Sequence, residues 1–166
     1  MTNAPDNTKR MAMIVSKGTL DWAYPPFILA TTAASLGHEV ALFFTFYGLG
    51  LLKKDVSDLE ISTLGNPAMK MPMMGMHMTM PNLMAAIPGV DAMATSMMKN
   101  LIKKKGVASI AELREAAIES GVRLIGCQMT LDLFEFKKED LIDGIELAGA
   151  ATYIDLASRS QINLFI

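Results

Sequence analysis

Cys127 is the only cysteine among 166 residues, and it stands in the stretch Gly121-Val-Arg-Leu-Ile-Gly-Cys-Gln-Met-Thr130. Residues 122–125 are an apolar run that ends at Gly126-Cys127, so the thiol should emerge where a buried strand stops. In open α/β sheets that carboxyl edge is where ligands and chemistry collect. Residues 128–134 can begin a short helix, whose first N–H groups would favour a thiolate. One nucleophilic thiolate can accept a sulfur atom and hand it on. With no second cysteine, an internal disulfide and dithiol redox chemistry are both excluded. A Cys-His hydrolase needs a histidine beside the thiol, and neither His38 nor His77 is near it in sequence. The competing reading is a buried, inert cysteine that packs as a small hydrophobe.

The second candidate chemistry is a soft-metal site. Between Met69 and Met98, 11 of 30 residues are methionine, against 15 in the whole chain. Thioethers select Cu(I), and His77 lies three residues from both Met74 and Met80. No other histidine or cysteine is nearby, and most of the methionines are spaced for packing or for an adaptable interface. Met69, Met71 and Met73 alternate, as do Met74, Met76, Met78 and Met80, which as one strand would place the two sets on opposite faces. Met93, Met97 and Met98 instead fit a helix over residues 90–104.

The remaining polar clusters read more simply. Thr19 and Asp21 are helix-capping residues that reach the edge carrying Cys127 if the first strand and the cysteine strand are neighbours. Lys99, Lys103, Lys104 and Lys105 form a solvated helix end or a patch for an acidic partner. There is no G-x-G-x-x-G and no Walker sequence, so no nucleotide loop is expected.

These residues need elements to hold them. Residues 11–15 read as a buried first strand, residues 22–36 as a helix with Pro25 and Pro26 in its first turn, and residues 40–46 as a second strand. That is a βαβ unit. Residues 48–54 suggest a helical turn, and residues 59–64 a third strand. Ser109-Ile-Ala-Glu112 has the form of a capping box opening a helix to Ser120, and Gly121 stops it before the cysteine strand. Residues 138–147 read as another amphipathic helix and residues 151–154 as a last short strand. The apolar terminus Leu164-Phe-Ile166 is expected to dock on the domain or on a partner.

The expected fold is an open, mostly parallel α/β sheet of about five strands with helices on both faces, flavodoxin-like or Rossmann-like. Residues 1–10 read as a disordered tail and 11–166 as one domain with a Met-rich insertion at 69–98. The composition is 51% hydrophobic and 19% charged with mean hydropathy +0.31, which points to a membrane or a sizeable subunit interface covering some surface, and a homo-oligomer is expected. A formal charge of −2 gives no footprint for nucleic acid. Residues 71–90 are free of charge, but Pro72, Gly75, Pro81, Pro88 and Gly89 interrupt them. No span is expected there, and any membrane contact would run through that stretch. With no signal peptide in view, a cytoplasmic protein is expected.

Several segments together resemble the DsrE/DsrF-like sulfur-relay family, most closely its DsrE2 branch, sometimes labelled peroxiredoxin-like. They are Met11-Ala-Met-Ile-Val-Ser-Lys-Gly-Thr-Leu-Asp21, the methionine-rich middle, Gly126-Cys-Gln-Met-Thr130, and Lys137-Lys-Glu-Asp-Leu-Ile-Asp-Gly144 with Ala151-Thr-Tyr153. The resemblance implies a parallel α/β sheet, homo-oligomers, and a cysteine that binds sulfane sulfur as a persulfide. Exchange would be with a TusA-like sulfur carrier or a rhodanese. Only Cys127 matches the family's sulfur-binding position, and no Thr-x-x-Cys arrangement surrounds it. The expected function is therefore a sulfurtransferase-like sulfur carrier acting through Cys127 without a cofactor. The alternatives are a Met-rich Cu(I)-binding module or a non-catalytic oligomeric scaffold.

Overall fold

The computed structural model describes residues 8–62, 70–73, 76–79 and 89–166. Its central feature is a five-stranded, wholly parallel sheet. The strands are β1 (Arg10–Val15), β2 (Glu39–Phe44), β5 (Arg123–Cys127), β6 (Glu146–Ala148) and β7 (Ile162–Phe165), in the spatial order β6-β5-β2-β1-β7. A separate antiparallel hairpin joins β3 (Lys70–Met73) to β4 (Met76–Thr79). The helices are α1 (Leu20–Ser35), α2 (Val90–Lys104), α3 (Ile110–Glu119), α4 (Gln128–Leu133) and α5 (Ala150–Ser158). A 3-10 helix follows β2 at Phe46–Leu52.

The side chains of each strand alternate between two cores, as the period of two requires. Met11, Met13, Val15, Val40, Leu42, Phe44 and Leu124 join α1, α3 and the 3-10 helix on one face. Ala12, Ala41, Phe43, Ile125 and Cys127 lie on the other, covered by Tyr153, Leu156 and Ala157 of α5. The open α/β architecture with helices on both faces is thus the expected one. The capping box also forms as expected: Ser109 Oγ accepts from Glu112 N–H, and Glu112 Oε2 accepts from Ser109 N–H at 2.7 Å.

Several local expectations are corrected. α1 begins at Leu20, so Pro25 and Pro26 lie a turn deeper than expected. β2 ends at Phe44, because Phe46 turns into the left-handed region (φ 46°) and opens the 3-10 helix. Residues 59–62 are irregular, and the rest of the third strand expected at 59–64 lies outside the described residues. Among the described residues the alternating methionines lie on two antiparallel strands rather than one, with Met71 opposite Met78 and Met73 opposite Met76; Met69, Met74 and Met80 lie outside those residues.

The largest reversal is near the carboxyl end. Residues 138–147 form no α-helix: a short 3-10 turn at Lys138–Asp140 leads to Gly144 (φ 78°) and then to β6. Residues 151–154 are the helix α5, not a strand, and Tyr153, Leu156 and Ala157 use helical spacing to seat it on the sheet. The expected docking of residues 164–166 takes a specific form. β7 adds to the edge of β1, and Ser16 N–H donates to Ile166 C=O at 2.7 Å.

On α2 two polar residues, Thr95 and Lys99, are tied to the body of the protein. Thr95 is buried and accepts from Ile61 N–H at 3.0 Å, and Lys99 Nζ donates to Ser57 C=O at 2.7 Å. Met93, Met97 and Leu101 are exposed on the outer side. The sequence expectation of a methionine face on this helix holds, and that face does not serve this core. No described helix is long and apolar enough to cross a membrane.

Candidate functional site

Cys127 is the last residue of β5 and the N-cap of α4 (φ −69°, ψ 114°). Gly126 before it lets two leucine side chains pack close: a Cβ at that position would come within 3.2 Å of both Leu147 Cδ2 and Leu49 Cδ1. The thiol is 4% exposed, so it does not emerge freely as expected. It lies under the α5 face, in one cluster with Ile125, Phe43 and Tyr153.

Two threonines missed by the sequence reading complete the site. Thr45 follows β2, the strand next to β5, and Thr130 sits in the first turn of α4. Their hydroxyl oxygens lie 3.1 Å apart, and Phe46 N–H donates to Thr130 Oγ1 at 3.2 Å. A hydroxyl has one proton to give and two lone pairs to accept with. The Phe46 amide fills an acceptor position on Thr130 and leaves its proton for another partner. Thr130 is fully buried, so that proton has no solvent to turn to.

These groups set the thiol's acidity. Burial pushes the Cys127 pKa up. The Thr130 hydroxyl and N–H, the Thr45 hydroxyl and the Met129 N–H oppose it, and the net result lies below the ordinary thiol value. Donors that point at the sulfur favour the charged thiolate over the neutral thiol. The spacing Cys-x-x-Thr was visible in the sequence as an N-cap followed by its N3 residue, and that was the available signal for Thr130. Nothing local marked Thr45, which depends on β2 and β5 being neighbours.

The other sequence candidates lie elsewhere. β1 is separated from β5 by β2, so Thr19 and Asp21, at the start of the helix after β1, are not beside Cys127. His38 precedes β2 at the amino edge of the sheet, about 17 Å of strand away from the carboxyl edge. A Cys-His pair with His38 is thereby ruled out. His77 lies in β4 opposite Pro72, while Met74 and Met80 fall outside the described residues. No cluster of three metal-binding His, Cys, Asp or Glu occurs among the described residues.

The structure surrounding the site is fixed by one buried cation. Arg114 of α3 is 6% exposed and donates to Leu51 C=O at 2.9 Å and Lys53 C=O at 2.6 Å. These carbonyls close the 3-10 helix whose start carries Thr45 and Phe46. The same segment is tied to residues 140–142, through Lys54 N–H to Asp140 C=O at 2.8 Å and Ile142 N–H to Leu52 C=O at 2.9 Å. Gly48 lets this helix cross the end of β1, because a Cβ there would sit 2.2 Å from Val15 O.

Fold and site define a single-thiol α/β protein with an acidified cysteine at the carboxyl edge of a parallel sheet. Residues 7–165 match the sequence model of the DsrE/DsrF/DrsH-like family, and the chain belongs to that family. It is 58% identical over 158 residues to the sulfur carrier protein DsrE2 of Allochromatium vinosum, covering 95% of this chain and 98% of the relative. It is 34% identical to the uncharacterized protein YrkE of Bacillus subtilis, covering 97% and 99%. A solved structure of a protein of unknown function, MTH1491 from Methanobacterium thermoautotrophicum, superposes with a TM-score of 0.48 at 10% identity, over 95% of this chain and 99% of that one.

Proposed function

We propose that this chain is a sulfur carrier that holds sulfane sulfur as a persulfide on Cys127. The observation that carries the reading is the Thr45–Thr130–Met129 environment, which favours a thiolate in a largely closed site. Support also comes from the 58% identical relative named as a sulfur carrier. In the first step the Cys127 thiolate attacks the outer sulfur of a donor persulfide. A bond forms between Sγ and that sulfur, the donor's S–S bond breaks, and the donor leaves as a thiolate. The proton on the transferred sulfur stays with it, and no net oxidation occurs. In the second step an acceptor thiolate attacks the outer sulfur and frees Cys127.

The partners on this reading are thiol proteins, a TusA-like carrier or a rhodanese, and the chain works as a cytoplasmic homo-oligomer. Neither a cofactor nor the Met74–His77–Met80 set takes part. Intact-mass measurement after incubation with a persulfidated donor tests the proposal. The wild type should gain the mass of one sulfur atom and Cys127→Ser none. No gain on the wild type would overturn it.

A further inference from the structure

Resting on the sulfur-carrying reading of Cys127, we infer that the Thr45–Thr130 hydroxyl pair stabilises the emptied Cys127 more than the loaded one. The carrier is then built to give sulfur away to ordinary thiols, and it must be filled by a reaction whose departing group is at least as well stabilised. Two hydroxyls carry two protons. In α1, Thr31 and Thr32 give theirs to the carbonyls of Phe27 and Ile28, four residues back. Thr45 and Thr130 have no carbonyl acceptor among the described residues, and Thr45 makes no side-chain cap bond to its 3-10 helix. One proton is used in the 3.1 Å contact between them, whichever oxygen donates. Phe46 N–H occupies a lone pair of Thr130 Oγ1, in a fully buried residue. One proton of the pair is therefore left over, and the Cys127 sulfur is the acceptor that both hydroxyls face.

What that proton contributes depends on where the charge sits. On the empty residue the charge is on Sγ, within reach of the hydroxyl pair and of the Met129 and Thr130 N–H groups. On the loaded residue Sγ is a neutral bridging sulfur, and the charge has moved to the outer sulfur about 2 Å away. Hydrogen bonds to an ionised acceptor are about twice as strong as those to a neutral one, so these donors gain strength as sulfur leaves. An acceptor thiolate attacks the outer sulfur, the S–S bond breaks, and Sγ departs with the electron pair into the donors. A better-stabilised thiolate is the faster leaving group and the weaker nucleophile, so unloading is favoured over loading. Uptake runs the same step in reverse and against this bias. It proceeds when the donor's own departing thiolate is at least as well stabilised, which defines the supplier as a persulfide on another activated thiol.

The test is the balance of unloading against loading with one ordinary thiol, glutathione. The wild type, Thr130→Val, Thr130→Ser and Thr45→Val would each be equilibrated with glutathione and glutathione persulfide at one mildly alkaline pH. Intact mass reads the ratio of empty to loaded protein, and melting temperatures confirm folding. The wild-type ratio should favour the empty protein. Each valine variant should lower it about three- to tenfold, through slower unloading, while Thr130→Ser, which keeps the hydroxyl, should stay within about twofold of wild type. Should Thr130→Val not fold, Thr45→Val at its partly exposed position carries the test. A substitution that only loosened the site would change both directions together and leave the ratio alone. An unchanged ratio in the valine variants therefore overturns the inference. A ratio that rises in them overturns it too, by assigning the hydroxyls to the outer sulfur. If the wild type takes no sulfur from an excess of glutathione persulfide, the sulfur-carrying reading itself fails and this inference with it.

Discussion

Thr45 and Thr130 are 85 residues apart in the chain, yet their hydroxyl oxygens lie 3.1 Å apart beside Cys127. The pairing of β2 with β5 alone makes this possible, since it brings the end of one strand against the start of the helix after the other. The Cys127 environment is therefore a product of sheet order. Each of its parts can be removed separately.

Thr130→Val removes one of the groups that oppose burial, while the burial itself remains. The thiol pKa should rise, as measured by thiolate absorbance during titration, and alkylation at neutral pH should slow. The Phe46 N–H also loses its acceptor, so stability should fall by about 1–3 kcal/mol in denaturant unfolding. Thr45→Val should move the pKa in the same direction. A pKa that stays put in both variants would remove the threonines from the site.

The depressed thiol pKa also makes stability depend on pH. The folded state favours the thiolate, so the contribution is fully present above the unfolded thiol value of about 8.5. It is lost as pH falls through the lower folded-state value, because both states then bind the proton. Between those two points the stability of the wild type should rise with pH relative to Cys127→Ser. Parallel profiles for the two proteins would contradict the assignment.

Arg114→Leu should destabilise the fold by about 2–5 kcal/mol, because the Leu51 and Lys53 carbonyls lose a charged donor in a buried position. Since those carbonyls end the 3-10 helix that begins beside Thr45, the variant should also raise the Cys127 pKa. Arg114→Lys, which keeps a cation at the site, should recover part of both. An effect on melting temperature without any change in the thiol would confine Arg114 to a structural role.

Tyr153→Ala should cost about 3 kcal/mol by opening a cavity next to Phe43, whose ring centroid lies 5.5 Å from that of Tyr153. The same change uncovers the face on which Cys127 lies, so the native protein should react faster with a bulky thiol reagent. Equal reactivity would show that α5 does not limit access.

Much of this fold was legible because its signals were local. Residues 11–15 form an apolar run and residues 122–125 one broken only by Arg123, both bounded by turn residues, and the Ser109–Glu112 box announces its helix directly. The segment after Lys137 was misread for a physical reason. Leu141, Ile142 and Ile145 have helical spacing, but Gly144 adopts φ 78° and Ile142 N–H is committed to Leu52 C=O. A tertiary contact outweighs the local pattern there. Ala151-Thr-Tyr-Ile154 carries β-branched residues that suit a strand, yet Tyr153, Leu156 and Ala157 bury together only as a helix. Cys127 was legible as a strand end. Its concealment was not, because α5, read as a strand, is what lies over it.

The pairing of β1 with β7 has a bearing on how the chain folds. Ser16 Oγ donates to Ile166 C=O across 150 residues, so one edge of β1 is satisfied by a segment made long after it. Contacts of such sequence separation form slowly, since the intervening loop must be closed before they contribute. During synthesis, then, Arg10–Val15 keeps one side open until Ile162–Phe165 arrives, and an open apolar strand edge is a template for association with other chains. Until β7 pairs with it, β1 is where this fold is exposed to aggregation.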